Sequence, residues 1–140
     1  MNPLHLAITY TPFLNNGALL KPTLIKGEND TKIWKEHLIP TEIVNTIFGD
    51  LKQVVDNSNG TAFQPKVSGI QIAGKTGTAE IKEKQGETGT ENGWFVAMNT
   101  DNPRLEIVMM IEDVQNRGGS HYVVPKVKSI FQHKELYPKE

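Results

Sequence analysis

A chain of 140 residues, 37% hydrophobic and 22% charged with a formal net charge of −1, has room for one domain with a real core, and its composition excludes disorder and collagen-like repeats. Its basic residues are scattered, which removes the footprint of a nucleic-acid binder, and the lack of cysteine removes disulfides, thiolate metal sites and a cysteine nucleophile. No apolar run approaches the ~20 residues of a membrane helix and no basic-then-apolar leader is present, so any membrane attachment is expected from sequence outside the chain.

Asn2-Pro3 pairs a helix cap with the residue best suited to the first helical position, and predicts a helix from Pro3 to about Leu14. A chain that starts on such a cap is expected to be a piece of a longer domain. The helix is apolar nearly all round, which predicts burial between layers, with Pro12 bending its last turn and Gly17 ending it in a left-handed cap. Leu19 to Ile25, carrying Pro22, reads as an edge strand or loop, and Glu28-Asn29-Asp30 as a turn. Pro40-Thr41 opens a second helix, with Thr41 as cap and Ile43, Val44, Ile47, Phe48, Leu51, Val54 and Val55 at the helical period. Asp56 to Gly60 is a loop, and Thr61-Ala62-Phe63 a short helical turn.

Three strands are expected at Ile70–Ile81, Gly93–Asn99 and Leu105–Asp113, in an antiparallel sheet, because Thr100-Asp101-Asn102-Pro103 is too short for a helical crossover. Lys82 to Asn92 reads as a polar loop that either borders the substrate cleft or is simply solvated, and the former is favoured. Ile107 to Ile111 is apolar at both parities, as in a central strand covered on both faces. Its second partner is either the Leu19–Ile25 segment or a strand outside the chain, and the latter is favoured. The last helix is expected from near Ser120 through Val123, Val127, Ile130, Phe131 and Leu136, stopped by Tyr137-Pro138, with Pro125 in its first turn. Four dispersed histidines lack metal-ligand spacing, so neither metal nor cofactor is expected.

The stretch Gly69 to Glu80 carries the chemistry. Gly69 to Thr76 satisfies the phosphate-loop pattern G-x-x-x-x-G-K-[ST] literally. That loop needs a buried parallel strand before it and a helix after it, whereas Ile70 and Ile72 alternate as in a strand and Gly77 follows Thr76. A nucleotide-binding module is therefore a remote alternative. As a strand, the stretch puts Ile70, Ile72, Gly74, Thr76 and Thr78 on one face and Ala73, Lys75, Gly77 and Ala79 on the other. Gly77 leaves bare backbone beside Lys75 for an extended ligand. Lys75 offers a cation and Thr76 a hydroxyl to a carboxylate, and the Thr78 amide is a donor for an oxyanion.

Gly74-Lys75-Thr76-Gly77-Thr78-Ala79-Glu80 resembles the third motif of class B penicillin-binding proteins, the D,D-transpeptidases that cross-link peptidoglycan and are acylated by β-lactams. Asn2-Pro3 with Ala7, Tyr10, Asn16-Gly17 and Pro22 is similar to the segment upstream of that motif. Lys84 to Gly89, Gly93-Trp94-Phe95 and Asp113-Val114-Gln115 resemble the low-affinity, methicillin-resistance subgroup of Gram-positive bacteria. The resemblance implies an α+β fold with three of the family's five antiparallel strands packed with helices, residues 1–140 being the C-terminal portion of the domain. It implies Lys75, Thr76, Gly77 and Thr78 as site residues, D-Ala-D-Ala stem peptides and β-lactams as partners, and a location outside the bacterial cytoplasmic membrane.

The family's nucleophile lies in Ser-x-x-Lys and its second motif is Ser-x-Asn, and Ser58, Ser68, Ser120 and Ser129 match neither. The chain is thus expected to be inactive alone, and to self-associate through the open edge of the 105–113 strand. A non-catalytic β-lactam sensor or scaffold of the same fold is the alternative reading.

Overall fold

A computed structural model describes residues 1–25, 31–63, 69–100 and 105–133. The chain divides into two compact units, Met1–Asp50 and Leu51–Glu140.

In the first unit, helix α1 spans Pro3–Leu14, and Asn2 caps it by accepting from the His5 amide at 2.8 Å. Pro12 has no N–H for the Ile8 carbonyl, and the Thr11 hydroxyl donates to that oxygen instead, at 2.8 Å. The same hydroxyl accepts from the Leu20 amide at 3.1 Å, so the proline defect in the helix becomes the anchor of the next strand. Gly17, at φ 86°, closes the helix by donating to the Pro12 carbonyl, as expected.

Strands β1 (Leu19–Leu20) and β2 (Ile33–Lys35) form an antiparallel ribbon. The Leu19–Ile25 segment therefore finds its partner in β2, a strand not foreseen, rather than in the 105–113 strand. The turn expected at Glu28-Asn29-Asp30 lies outside the described residues. Burial of α1 between layers is not observed: only Pro12 and Leu14 are buried, and Leu4 and Ile8 border an open groove of about 750 Å³ with Leu19, Trp34 and Leu38. The two-stranded ribbon is too small to cover an apolar helix on all sides.

Helix α2 spans Thr41–Asp56. Its first turn closes on the Pro40 carbonyl, which accepts from the Val44 amide at 3.0 Å, so Thr41 lies inside the helix rather than capping it. Val44, Leu51 and Val55 are buried at the expected spacing, while Ile43, about 100° round the helix from Val44, is exposed.

The second unit is built on strands β3 (Ile72–Ile81), β4 (Thr90–Asn99) and β5 (Glu106–Ile111), antiparallel in the order β3-β4-β5. The α+β class and the antiparallel sheet agree with the sequence reading. One sheet face presents Ile72, Phe95 and Ala97 to Val123, Val124, Val127 and Phe131, with Val55 and Ala62 completing the core. Phe95 and Phe131 are fully buried, each contributing about 1.5–3 kcal/mol. Gly93 sets the closeness of this packing, since a Cβ there would meet Val123 Cγ2 at 2.9 Å and the Gly119 carbonyl oxygen at 3.0 Å.

Strand β4 begins at Thr90, three residues earlier than expected, so the polar loop is confined to residues 82–89. Strand β5 is half-buried along its length, and its second edge carries no strand among the described residues. The last helix is shorter than expected. A 3-10 turn at Gly119–Tyr122 precedes α3 (Val124–Ile130), because Pro125 cannot supply an α-helical donor and the turn closes through Val123 N to Ser120 O at 3.0 Å. Leu136, Tyr137 and Pro138 lie outside the described residues.

Candidate functional site

The residues singled out in the sequence all lie in the middle of β3, and the strand register decides where each group points. Thr100 N donates to Gln71 O, and the register continues Ile72↔Asn99 through Ile81↔Thr90. Antiparallel alternation then commits the backbone groups of the odd-numbered residues of β3 to β4 and turns those of Thr76 and Thr78 toward the outer edge. No other strand pairs along that edge among the described residues. A free strand edge of this kind can accept an extended segment as an added strand.

Lys75 is exposed, and its Nζ donates to the carbonyl oxygen of Thr76 at 2.8 Å. The cation is thereby held over the outer edge. Thr78 presents its amide to the same edge, two residues along, while its hydroxyl oxygen accepts from the Ser120 amide at 3.1 Å. That bond ties the strand to the 3-10 turn and fixes the direction of the Thr78 peptide. Gly118 and Gly119, at φ 91° and 60°, give the turn a left-handed path that brings Ser120 this close.

Thr76 is 7% exposed, and its hydroxyl lies 2.6 Å from that of Thr61. It belongs to the face opposite Lys75, as the period-two alternation requires. Only the backbone edge brings Lys75, Thr76 and Thr78 together. Thr61 was not singled out in the sequence, where a threonine 15 positions upstream carries no periodic signal.

Gly77 shares its face with Lys75 and lies opposite Trp94 in the register. A Cβ on Gly77 would meet only Trp94 Cβ, at 3.8 Å, an ordinary contact. Gly74 differs, since a Cβ there would meet the Val96 carbonyl oxygen at 2.5 Å and Phe95 Cε2 at 2.8 Å. The first glycine of the motif is therefore demanded by the fold, and the second leaves space on the site face. Trp94 is half-buried on this face, whereas Phe95, on the opposite face of β4, is fully buried in the core.

Gly69 lies in a turn at φ 75°, β3 begins at Ile72 rather than Ile70, and from there the chain runs as strand through Lys75 and Thr76 to Ile81, with no helix after Thr76 to face a phosphate. Glu80 pairs with Lys82 at 2.9 Å, an exposed ion pair worth under about 1 kcal/mol. Among the described residues no three metal-ligating side chains cluster, and no helix is long and apolar enough to cross a membrane.

The family model described as penicillin binding protein transpeptidase domain matches residues 1–132. The chain is 53% identical over 134 residues to penicillin-binding protein 3 of Bacillus subtilis, covering 94% of this chain and 20% of that protein. It is 28% identical over 138 residues to the peptidoglycan D,D-transpeptidase FtsI of Buchnera aphidicola, covering 93% of this chain and 24% of the relative. The chain thus spans about a fifth to a quarter of the length of these relatives. The transpeptidase domain of Burkholderia pseudomallei penicillin-binding protein 3 shares its fold, with a TM-score of 0.74 at 20% identity over 100% of this chain and 44% of that one.

Proposed function

This chain belongs to the penicillin binding protein transpeptidase family, and we propose that it forms one wall of the acyl-transfer site of a peptidoglycan D,D-transpeptidase. The observation that carries the reading is the outer edge of β3, where the Lys75 ammonium and the outward amide of Thr78 accompany Thr76 and the bare backbone of Gly77. A stem peptide ending in D-Ala-D-Ala, or a β-lactam, lies along this edge as an added strand. Lys75 polarises the site and assists proton movement. Thr76 gives its hydroxyl to the ligand carboxylate, and the Thr78 amide donates to the oxyanion of the tetrahedral intermediate.

The attacking serine comes from a segment outside this sequence. Among the serines described here, Ser120 is buried in the 3-10 turn, the Ser129 hydroxyl donates to the Lys126 carbonyl at 2.7 Å, and Ser58 sits in an exposed loop. None is placed beside a general base. Acylation in the parent joins the serine Oγ to the lactam carbonyl carbon, breaks the ring C–N bond and returns a proton to that nitrogen. The parent works outside the bacterial cytoplasmic membrane, where peptidoglycan is cross-linked. Lys84 to Gly89, Gly93-Trp94-Phe95 and Asp113-Val114-Gln115 support its assignment to the low-affinity, methicillin-resistance-like subgroup.

Intact-mass measurement with benzylpenicillin tests the proposal. This chain alone should gain no covalent adduct, whereas the longer protein carrying it should gain one; a longer protein that stays unmodified sinks the reading.

A further inference from the structure

We infer that Thr61 is a positioning residue for Thr76, orienting the hydroxyl that meets the ligand carboxylate; the inference rests on the function proposed above. A threonine hydroxyl has one proton to give and two lone pairs to receive with. At 2.6 Å, one of the pair Thr61 and Thr76 donates to the other. If the Thr76 proton went to Thr61, it would be lost to a ligand. With Thr61 donating, the Thr76 proton stays available and its direction is set by the bond it receives. An anionic ligand at the edge favours this second arrangement, since donation to a carboxylate is the stronger hydrogen bond.

The backbone around Thr61 is held without help from its side chain. The Ala62 amide donates to the Val54 carbonyl at 3.0 Å in the last turn of α2, and the Gly60 amide to the Asn57 carbonyl at 2.8 Å. Gly60 lies so close to α2 that a Cβ would meet the Val54 carbonyl oxygen at 2.3 Å. On the other side, buried Lys128 of α3 donates from Nζ to the Ala62 carbonyl at 2.8 Å. Burial pulls the Lys128 ammonium below the usual lysine range, with Asp56 opposing the shift. Helices α2 and α3 therefore clamp residues 60–62, and the Thr61 hydroxyl is the group this clamp delivers to β3. Removing that hydroxyl leaves the clamp intact and unfixes the Thr76 proton.

The test uses the longer protein and two probes, benzylpenicillin, which carries a free carboxylate, and its methyl ester, which does not. The readout is the ratio of their acylation rates, which does not depend on the fraction of enzyme that is folded. Thr76→Val should lower the acid-to-ester ratio, and if it does not, the proposed role of Thr76 fails whatever Thr61 does. Given that loss, Thr61→Val should lower the ratio about 3- to 10-fold, Thr61→Ser should restore it, and Thr61→Val added to Thr76→Val should change it no further. Thr61→Ala provides the same reading should the valine fold poorly. A Thr61→Val protein that slows on both probes equally, or on neither, overturns the inference.

Discussion

Lys75 and Thr76 are neighbours in the chain whose side chains leave β3 on opposite faces, yet the Lys75 ammonium returns over the strand edge to donate to the Thr76 carbonyl oxygen at 2.8 Å. That carbonyl is one of the groups the register turns outward. The contact places a positive charge where an incoming strand would have offered a backbone amide. On the function proposed above, an anionic group in the ligand would meet a cation already at the edge, and the lysine stem would lose little further freedom on binding.

Lys75→Met should therefore act on chemistry and not on folding. Lys75 is exposed, so the melting temperature of this chain should stay within about 2 °C. Benzylpenicillin acylation of the longer protein should fall about 10- to 100-fold, the scale of a charge-assisted hydrogen bond. A fall in melting temperature matching the loss of rate would make Lys75 a structural residue instead.

The two glycines of the motif should separate in the same way. Gly74→Ala drives a Cβ to 2.5 Å from the Val96 carbonyl oxygen, a collision with backbone that cannot swing aside, and should destabilise the chain by about 2–3 kcal/mol in urea titration. Gly77→Ala meets only ordinary contact at 3.8 Å and should leave stability within about 1 kcal/mol. In the longer protein, Gly77→Ala should still slow acylation, because the added methyl stands in the space reserved for the ligand. Equal destabilisation by both would remove the case for that space.

The Gly69 to Glu80 stretch stands out in the sequence because strand alternation and motif act over a few positions. Helix α2 is legible from an apolar period held over 16 residues, β3 from alternation, and β4 and β5 as apolar runs on either side of a connection too short for a helix. Strand β2 was not: Ile33–Lys35 is three residues flanked by Lys32 and Glu36, and only its pairing with Leu19–Leu20 makes it a strand. The all-round hydrophobicity of α1 announced a need for cover without saying which residues supply it. Thr61 escaped because its significance lies in a contact across 15 positions, set by how α2 and α3 hold the turn at 60–62.

Self-association should follow from the open edge of β5. Asn99 N donates to Leu105 O, so the odd-numbered residues of β5 bond β4 and Glu106, Val108 and Met110 turn their backbone groups outward. Val108→Pro removes one outward donor and leaves the β4 ladder whole, whereas Met109→Pro breaks the ladder. Sedimentation velocity on this chain should show concentration-dependent dimers or larger species that Val108→Pro suppresses, while Met109→Pro should unfold it. A monomer at every concentration would contradict the edge argument.

The same strand carries a pH-sensitive group. Glu106 lies opposite Met98 in the register, no described donor reaches its buried Oε1, and burial raises its carboxyl from 4.5 to about 8. Between those values the folded chain holds a proton that the unfolded chain has released. The stabilising contribution is complete below about pH 4.5 and is lost as pH rises through 8. The full shift corresponds to ~5 kcal/mol at about 1.4 kcal/mol per pH unit, an upper bound that relaxation of the site reduces. Urea midpoints of this chain should therefore fall from pH 5 to pH 8.5 beyond what its other carboxylates produce. Glu106→Gln, uncharged throughout, should flatten that fall and be the more stable protein at pH 8.5 but not at pH 5. Parallel pH profiles for the two proteins would mean that Glu106 finds water or a partner in the fold and does not titrate as its burial demands.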